Sequence, residues 1–399
     1  MNIDTQRKID QVVGTLLCGL LSLLPRSRRK GGHRVAPANI LVILLSEMGS
    51  LLLAKPMFDH VRKRYPGASL YVLLFERNRE FLEILDLVPR ENIVGIDGDT
   101  FGHFLRSSIR ALVRIRREKI DTVLDCELFA RVSSLYSFLS GARIRVGFHP
   151  YTQEGLFRGS FINRPVLYNP YNHISSQFLA LAKAIEATDR PMVKERLERN
   201  RGNPPTLKVG PEEIARFRER FKSDFPGVQD GKLVLLYPSG GLLPIRAWPL
   251  AHFCTVAEDL VRKGYGVGVI GMEGDREMAA RIVAHCEGKK CLNLAGYTRT
   301  VRELMILFHL ASLLITNDGG PGHFASMTPV PAIILYGPET PVLYGSLDPK
   351  AVNLHVPMSC SPCLTAYNHR NSPCDGNNLC LKSIEPGTVL ERAYEILSR

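Results

Sequence analysis

The sequence predicts an α/β protein of two Rossmann-like, doubly wound domains behind a short N-terminal amphipathic helix. Three observations carry this. Continuous apolar runs such as ILVILL from Ile40 and AIILY from Ala332 alternate with longer stretches of helical period, the pattern of buried parallel strands joined by crossover helices. The alternation runs twice, on either side of a stretch rich in Pro, Gly, Asn and charge. The chain has 399 residues and 45% hydrophobic content, enough for about two or three domains of ordinary size. The expected divisions are 1–36 (helix and basic arm), 37–190, a linker at 191–210, 211–357, and a Cys-rich tail with a closing helix at 358–399.

In the arm, residues 12–24 are uncharged but too few to span a bilayer, which takes about 20. A secretory signal would place its positive charge first and a small-residue cleavage site after the apolar run. Here Arg26, Arg28, Arg29 and Lys30 follow the run. On a helix Val13, Leu16, Leu17, Leu20 and Leu24 share one face, with Gly14, Thr15, Cys18 and Ser22 roughly opposite. Such a helix rests on anionic lipid, or packs its apolar face on the protein body.

In the first domain, strands are expected at 40–45, 70–75, 93–96 and 122–124. Gly49 marks the first turn, and Pro66 and Gly67 stop the first helix. A helix near 104–119 carries Arg106, Arg110, Arg114 and Arg117 as a stripe, either a solvated face or a seat for an anionic acceptor. Residues 163–173, NRPVLYNPYNH, read as a surface loop or as the lining of an acceptor site. The linker holds RNRGNPP, and the pattern then restarts. KLVLLY, YGVGVIG, SLLIT and PAIILYG are strands; PLAHFCTVAEDLVRKG, REMAARIVAHC and TVRELMILFHL are helices. Two such domains in tandem leave a cleft between the carboxyl ends of their sheets, where doubly wound folds bind ligands. Neither G-x-x-x-x-G-K-S/T nor a G-x-G-x-x-G after a strand occurs, which disfavours P-loop hydrolysis and nicotinamide cofactors.

Three stretches carry chemistry. NDGGPGHFASM places Gly319, Gly320 and Gly322 between a strand and a helix expected to start at Phe324. Bare amides and a helix start suit a diphosphate, whereas the alternative is a tight turn capped by Asp318. PSGGLLPIRAWP places Gly240 and Gly241 after a strand and Arg246 before Trp248. Arg pairs bidentately with phosphate oxygens, or stacks on the indole. GMEGDREMA offers Asp275 and Glu277, which accept ribose hydroxyls or favour a helix start.

Nine Cys are present. Cys18, Cys126, Cys254, Cys286 and Cys291 read as buried thiols of a cytosolic protein. Cys360, Cys363, Cys374 and Cys380 form C-x2-C-x10-C-x5-C, a candidate structural zinc site; two disulfides are the alternative, disfavoured in a reducing compartment.

The three stretches, in this order, resemble glycosyltransferase family 9, the ADP-heptose:lipopolysaccharide heptosyltransferases, from about Ile40 to the C-terminus. NDGGPGHFASMTPVPAIILYGPETP is similar to the family's D-T/S-G-x-x-H-x-A-A segment with its later FGPT. PIRAWP is similar to its K-x-W-P element, and ILVILLSEMGSLLLAKP followed by RKRYPGA to its first strand, Gly loop and helix. The resemblance implies a GT-B fold, with two Rossmann-like domains facing across a cleft. It implies inverting transfer that needs no metal, with cations and amides stabilising the departing nucleoside diphosphate. Asp318 and His323, with the amides of Gly319, Gly320 and Gly322, would hold the donor's diphosphate and sugar. Arg246 stands where the family has a Lys, and Asp275 or Glu277 would hold the ribose. The family's M-G-D, whose Asp is the general base, reads Met48-Gly49-Ser50 here. Ser50 is no carboxylate, so Glu47 and Glu127 are the candidate bases.

The expected partners are a nucleotide-sugar donor (ADP-heptose), a lipid-linked saccharide acceptor and an anionic membrane surface. The expected location is cytoplasmic, on the inner face of the cytoplasmic membrane. Two alternatives stand: a catalytically inactive homologue that binds sugar nucleotides, and a nucleic-acid-binding protein, prompted by the net charge of +12. The charge is concentrated in the arm, where residues 1–34 hold seven Lys or Arg against two Asp. No basic–aromatic module accompanies it, which disfavours nucleic acid.

Overall fold

The computed structural model describes residues 3–24, 36–45, 47–128, 130–148, 157–189, 191–195, 204–228, 233–286, 290–365 and 371–398. The chain divides into two compact units, Met1–Asn200 with Ala366–His369, and Arg201–Thr365 with Arg370–Arg399.

The first unit is built on a six-stranded sheet of β1 (Asn39–Ile43), β2 (Ser69–Phe75), β3 (Ile93–Ile96), β4 (Thr122–Asp125), β5 (Ile144–Phe148) and β6 (Arg164–Val166). The order is β3-β2-β1-β4-β5-β6 and every pairing is parallel. Ile40 pairs with Leu70 on one side and Thr122 on the other, so β1 is central and buried on both faces. Leu41, Ile43, Leu73, Val94 and Val123 pack with Ala111, Ile115 and Tyr136 from helices on one face.

The second unit repeats the plan. Its strands are β7 (Leu233–Tyr237), β8 (Gly266–Gly271), β9 (Cys291–Ala295), β10 (Leu313–Asn317), β11 (Ala332–Tyr336) and β12 (Val352–His355), in the order β12-β11-β10-β7-β8-β9, again all parallel. In both sheets the winding reverses beside the first strand, between β1 and β4 and between β7 and β10. At such a point successive crossovers leave in opposite directions and open a crevice at the carboxyl ends.

Several local expectations are corrected. Gly49 lies inside the helix Met48–Leu53 and not in a turn before it. The helix expected from Phe324 starts at Gly320 and runs to Ala325. The supposed loop at 163–173 contains β6, and His173 caps the next helix by accepting from Ser175 N. Of the predicted linker, 196–203 lie outside the described residues; Leu207 is buried and donates its N–H to Met327 O, so it belongs to the second body. The tail packs on the second unit. Cys380, Leu381, Ile384, Val389 and Ala393 join the second core, and the Trp248 indole N–H donates to Ile384 O at 2.9 Å.

The N-terminal arm is helical from Ile3 to Ser22, with a π-turn at Asp10–Gly14. Its small residues face the protein. Gly14 lies so close to Arg131 that a Cβ would sit 2.9 Å from Arg131 Cβ. Cys18 packs with Leu135 and Phe161, and Ser22 Oγ accepts from Ser160 N. The Asp10 carboxylate accepts from Arg131 N and Val132 N, supplying the cap that the helix Arg131–Leu139 lacks locally. Val12, Leu16, Leu20 and Leu23 are exposed, so the helix docks by the face of Gly14, Cys18 and Leu21 and leaves these four outward. The arginine cluster at 26–34 lies outside the described residues. Among the described residues no helix is long and apolar enough to cross a membrane.

Candidate functional site

At the switch point of the second sheet, Asn317 joins two loops. It ends β10, fully buried, and its Nδ2 donates to Pro238 O at 2.9 Å and Ser239 O at 3.2 Å, beyond the end of β7. Its Oδ1 accepts from Trp248 N at 3.0 Å. One amide side chain therefore sets the position of the Ser239–Gly241 loop and of the segment carrying Arg246.

Arg246 does not stack on Trp248. Its Nη2 pairs with Glu339 Oε2, and its Nε lies 3.7 Å from Asp318 Oδ2. Those last two atoms are buried, and neither has a hydrogen-bond partner. Three charged groups from the ends of β7, β10 and β11 thus meet in one buried cluster. Burial pushes the Glu339 carboxyl up to about 8; Arg246 pulls against that rise and Asp318 adds to it. Below that pH Glu339 carries a proton, and the cluster is one cation facing one carboxylate instead of two. An orphaned N–H and an orphaned oxygen at the carboxyl edge of a Rossmann-like sheet mark a place built for a polar ligand.

The glycines divide by role. A Cβ on Gly319 would meet no atom closer than 4.0 Å, whereas one on Gly322 would press 2.9 Å from Ile334 Cδ1. Gly319 therefore leaves open space, and Gly322 lets the helix Gly320–Ala325 sit against β11. A Cβ on Gly320 would stand 3.1 Å from the Phe324 ring. Gly240 is needed within its own turn, where a Cβ would fall 2.6 Å from Leu243 O, and Gly241 has φ +60° with room around it. Asp318 does not cap the helix: Gly319 holds that position and no side chain caps it. His323 is buried in the same short helix. Asp275 is turned inward, Oδ2 accepting from Met272 N at 2.8 Å, while Glu277 is exposed at the first turn of the helix Arg276–His285. Both follow β8.

In the first unit the candidate bases separate. Glu127 is buried at the end of β4, and its Oε1 accepts from Leu45 N at 2.6 Å. It ties the loop after β1 to the loop after β4. Beneath it Asp125, fully buried, pairs with Arg158, which also donates to Glu127 O at 2.5 Å. Glu47 is half-buried at the position before the helix Met48–Leu53. Ser50 Oγ lies 3.4 Å from Glu47 Oε2, so the hydroxyl at the position of the absent carboxylate points to a nearby one.

Comparison with known proteins places this architecture. The family model for glycosyltransferase family 9 (heptosyltransferase) matches residues 109–372, well over half the chain. The chain belongs to glycosyltransferase family 9. Lipopolysaccharide heptosyltransferase 2 of Salmonella typhimurium is 24% identical over 380 residues, which cover 90% of this chain and 98% of that protein. The structure of E. coli ADP-heptose lps heptosyltransferase II superposes with a TM-score of 0.68 at 21% identity, over 90% of this chain and 98% of the other. E. coli heptosyltransferase WaaC, solved with ADP, gives 0.62 at 15% identity, over 90% and 99%. The fold is that of these GT-B enzymes.

Two residues of the candidate site escaped sequence reasoning. Glu339 sits in GPETP without periodicity to single it out, and Asn317 reads only as the first residue of the glycine loop. The signal for both was their place: each stands at the carboxyl end of a strand beside the switch point. The C-terminal cysteines form no disulfide; all nine are free. Among the described residues no group of three or more His, Cys, Asp or Glu is arranged to hold a metal ion.

Proposed function

We propose that this glycosyltransferase moves a heptose from ADP-heptose to a lipopolysaccharide-type saccharide, with inversion at the transferred carbon. The observation that carries the reading is the Arg246–Glu339–Asp318 cluster, with its unpartnered Nε and Oδ2 next to the open space at Gly319. Relatives named for heptose transfer over nearly their full length supply the sugar and the acceptor class.

In this reading the diphosphate lies against Arg246 and the amides from Gly319 onward, while Glu339 hydrogen-bonds to Asp318 and Arg246 beneath it. Asp318 and His323 orient the sugar. Asp275 or Glu277, after the second strand of the sheet, takes the ribose hydroxyls, as an acid there does in doubly wound folds. The bond from the sugar's anomeric carbon to the phosphate oxygen breaks as the acceptor oxygen bonds to that carbon. The acceptor's proton passes to a carboxylate, and ADP leaves with its charge held by the cation and amides. Glu47 is the proposed base, because Glu127 spends an oxygen on Leu45 N. The chemistry asks for no metal, and a zinc ion at Cys360, Cys363, Cys374 and Cys380 would be structural. The helical arm with its basic run, next to a lipid-linked acceptor, supports a peripheral position on the cytoplasmic membrane face.

The test is release of ADP from ADP-heptose in the presence of heptose-deficient lipopolysaccharide, with the linkage read by NMR. Turnover that disappears in Arg246→Ala supports the reading. Donor binding without turnover on any saccharide acceptor would instead identify an inactive sugar-nucleotide-binding homologue.

A further inference from the structure

The helix Phe101–Arg117 faces the protein with its small side. Ser107, Ser108, Ala111 and Ile115 are its buried residues. Ser107 Oγ accepts from Asp97 N, and Ser108 Oγ accepts from Tyr136 OH at 2.5 Å, fixing the helix beside Arg131–Leu139. Phe104 and Leu112 pack inward beside Ile115, but four other large apolar residues point the other way. Phe101 is 56% exposed, Leu105 50%, Ile109 56% and Val113 56%. They recur every fourth residue and form one row along the outer surface. The helix also carries Arg106, Arg110, Arg114, Arg116 and Arg117, and no Asp or Glu.

We propose that this outer face is a docking surface for an anionic lipid bilayer, in which the row from Phe101 to Val113 enters the headgroup boundary and the arginines meet lipid phosphates. Arg114 faces Glu118 at 3.9 Å and Arg116 donates to Leu139 O, while an apolar row left in water beside Arg106, Arg110 and Arg117 matches an interface whose interior is apolar and whose surface is negative. Nucleic acid would engage the arginines and leave the four apolar side chains without a role. A second copy of the chain would bring Arg106, Arg110 and Arg117 against the same residues, a like-charge contact that opposes self-pairing.

The N-terminal helix shows the same arrangement on the other flank of Arg131–Leu139: Gly14 and Cys18 inward, Val12, Leu16 and Leu20 outward. Gln6 Nε2 donates to Gly98 O at 3.2 Å, just before the start of Phe101–Arg117. The inference rests on the peripheral-membrane reading above but moves the contact from the arm to the folded body. A body held at two helices is oriented on the surface, not only tethered to it.

The experiment is flotation of the full chain with vesicles of phosphatidylethanolamine and phosphatidylglycerol, beside vesicles of phosphatidylcholine alone. The Leu105→Glu/Ile109→Glu variant is expected to bind the anionic vesicles about tenfold more weakly than wild type. Arg106→Gln/Arg110→Gln should lose about tenfold or more, on anionic vesicles only. Both should keep the wild-type melting temperature and the wild-type rate on a water-soluble acceptor. Leu16→Glu/Leu20→Glu, in the arm, is the parallel control. Wild-type binding by Leu105→Glu/Ile109→Glu, with the arm variant impaired, overturns this proposal and leaves the arm as the anchor. Loss of a dimer in sedimentation, without change in vesicle binding, overturns it in favour of self-association. A wild type that floats with no vesicle overturns the membrane location altogether, while the ADP-release assay still decides the sugar transfer on its own.

Discussion

Glu339 and Asp318 converge on the same guanidinium from the ends of neighbouring strands, Glu339 paired with Arg246 at only 2% exposure of its side chain and Asp318 3.7 Å from its Nε. Two carboxyl groups share one cation, and burial holds the proton on Glu339.

The first prediction concerns pH. The Glu339 carboxyl is raised to about 8 by burial, above its ordinary value. A raised acid binds its proton more tightly folded than unfolded, so its contribution to stability is full below the ordinary carboxylate range and is lost as pH rises through about 8. Thermal melts between pH 5 and 9 should show wild type losing more stability than Glu339→Gln, whose neutral amide does not titrate. Over the same interval the wild-type KM for the donor should climb. Equal melting profiles for the two proteins would rule out a protonated Glu339.

Removing the cation alone should be costly. Arg246→Ala leaves the buried Asp318 carboxylate without its cation, and breaking such a pair costs about 3–5 kcal/mol. Combining it with Asp318→Asn should restore much of that stability without restoring donor binding. Urea unfolding and calorimetric titration with ADP separate the two effects.

Glu47 and Glu127 should fail in different ways. Glu47→Gln is expected to lower kcat about 100-fold or more, with donor affinity and melting temperature near wild type. Glu127→Ala removes the acceptor of Leu45 N and should cost about 1–3 kcal/mol of stability. A Glu47→Gln enzyme with normal kcat would return the search for the base to other carboxylates.

The two glycines make a paired test. Gly322→Ala drives a methyl into Ile334, an overpacking that should cost about 1–3 kcal/mol. Gly319→Ala meets only open space and should fold normally while raising the donor KM. Comparable melting temperatures for the two variants would contradict this division.

The central strands were legible because β1, β7, β10 and β11 are unbroken apolar runs, as strands covered on both faces must be. β5, β6, β9 and β12 were missed because Arg145, Pro165, Asn293 and Asn353 interrupt runs of only three to five residues. The glycine loops and Arg246 could be found because their composition is unusual for the ends of strands. Glu339 could not: its partner Arg246 lies 93 positions away, and only the parallel order β11-β10-β7 brings the two loops together. The loss of the expected acid at Ser50 was plain, but that Ser50 would face Glu47 depended on the first turn of a helix where a loop was expected.

Asp10 alters how the chain should be shortened. Cutting away the greasy first two dozen residues is the obvious route to a better-behaved sample. Yet that carboxylate serves the opening amides of Arg131–Leu139, and Cys18 fills the seat against Leu135 and Phe161. A truncated protein would expose a helix end and an apolar hollow in exchange for the leucines it lost. Exchanging the outward leucines for polar residues keeps the wedge in place and removes only the surface that clings.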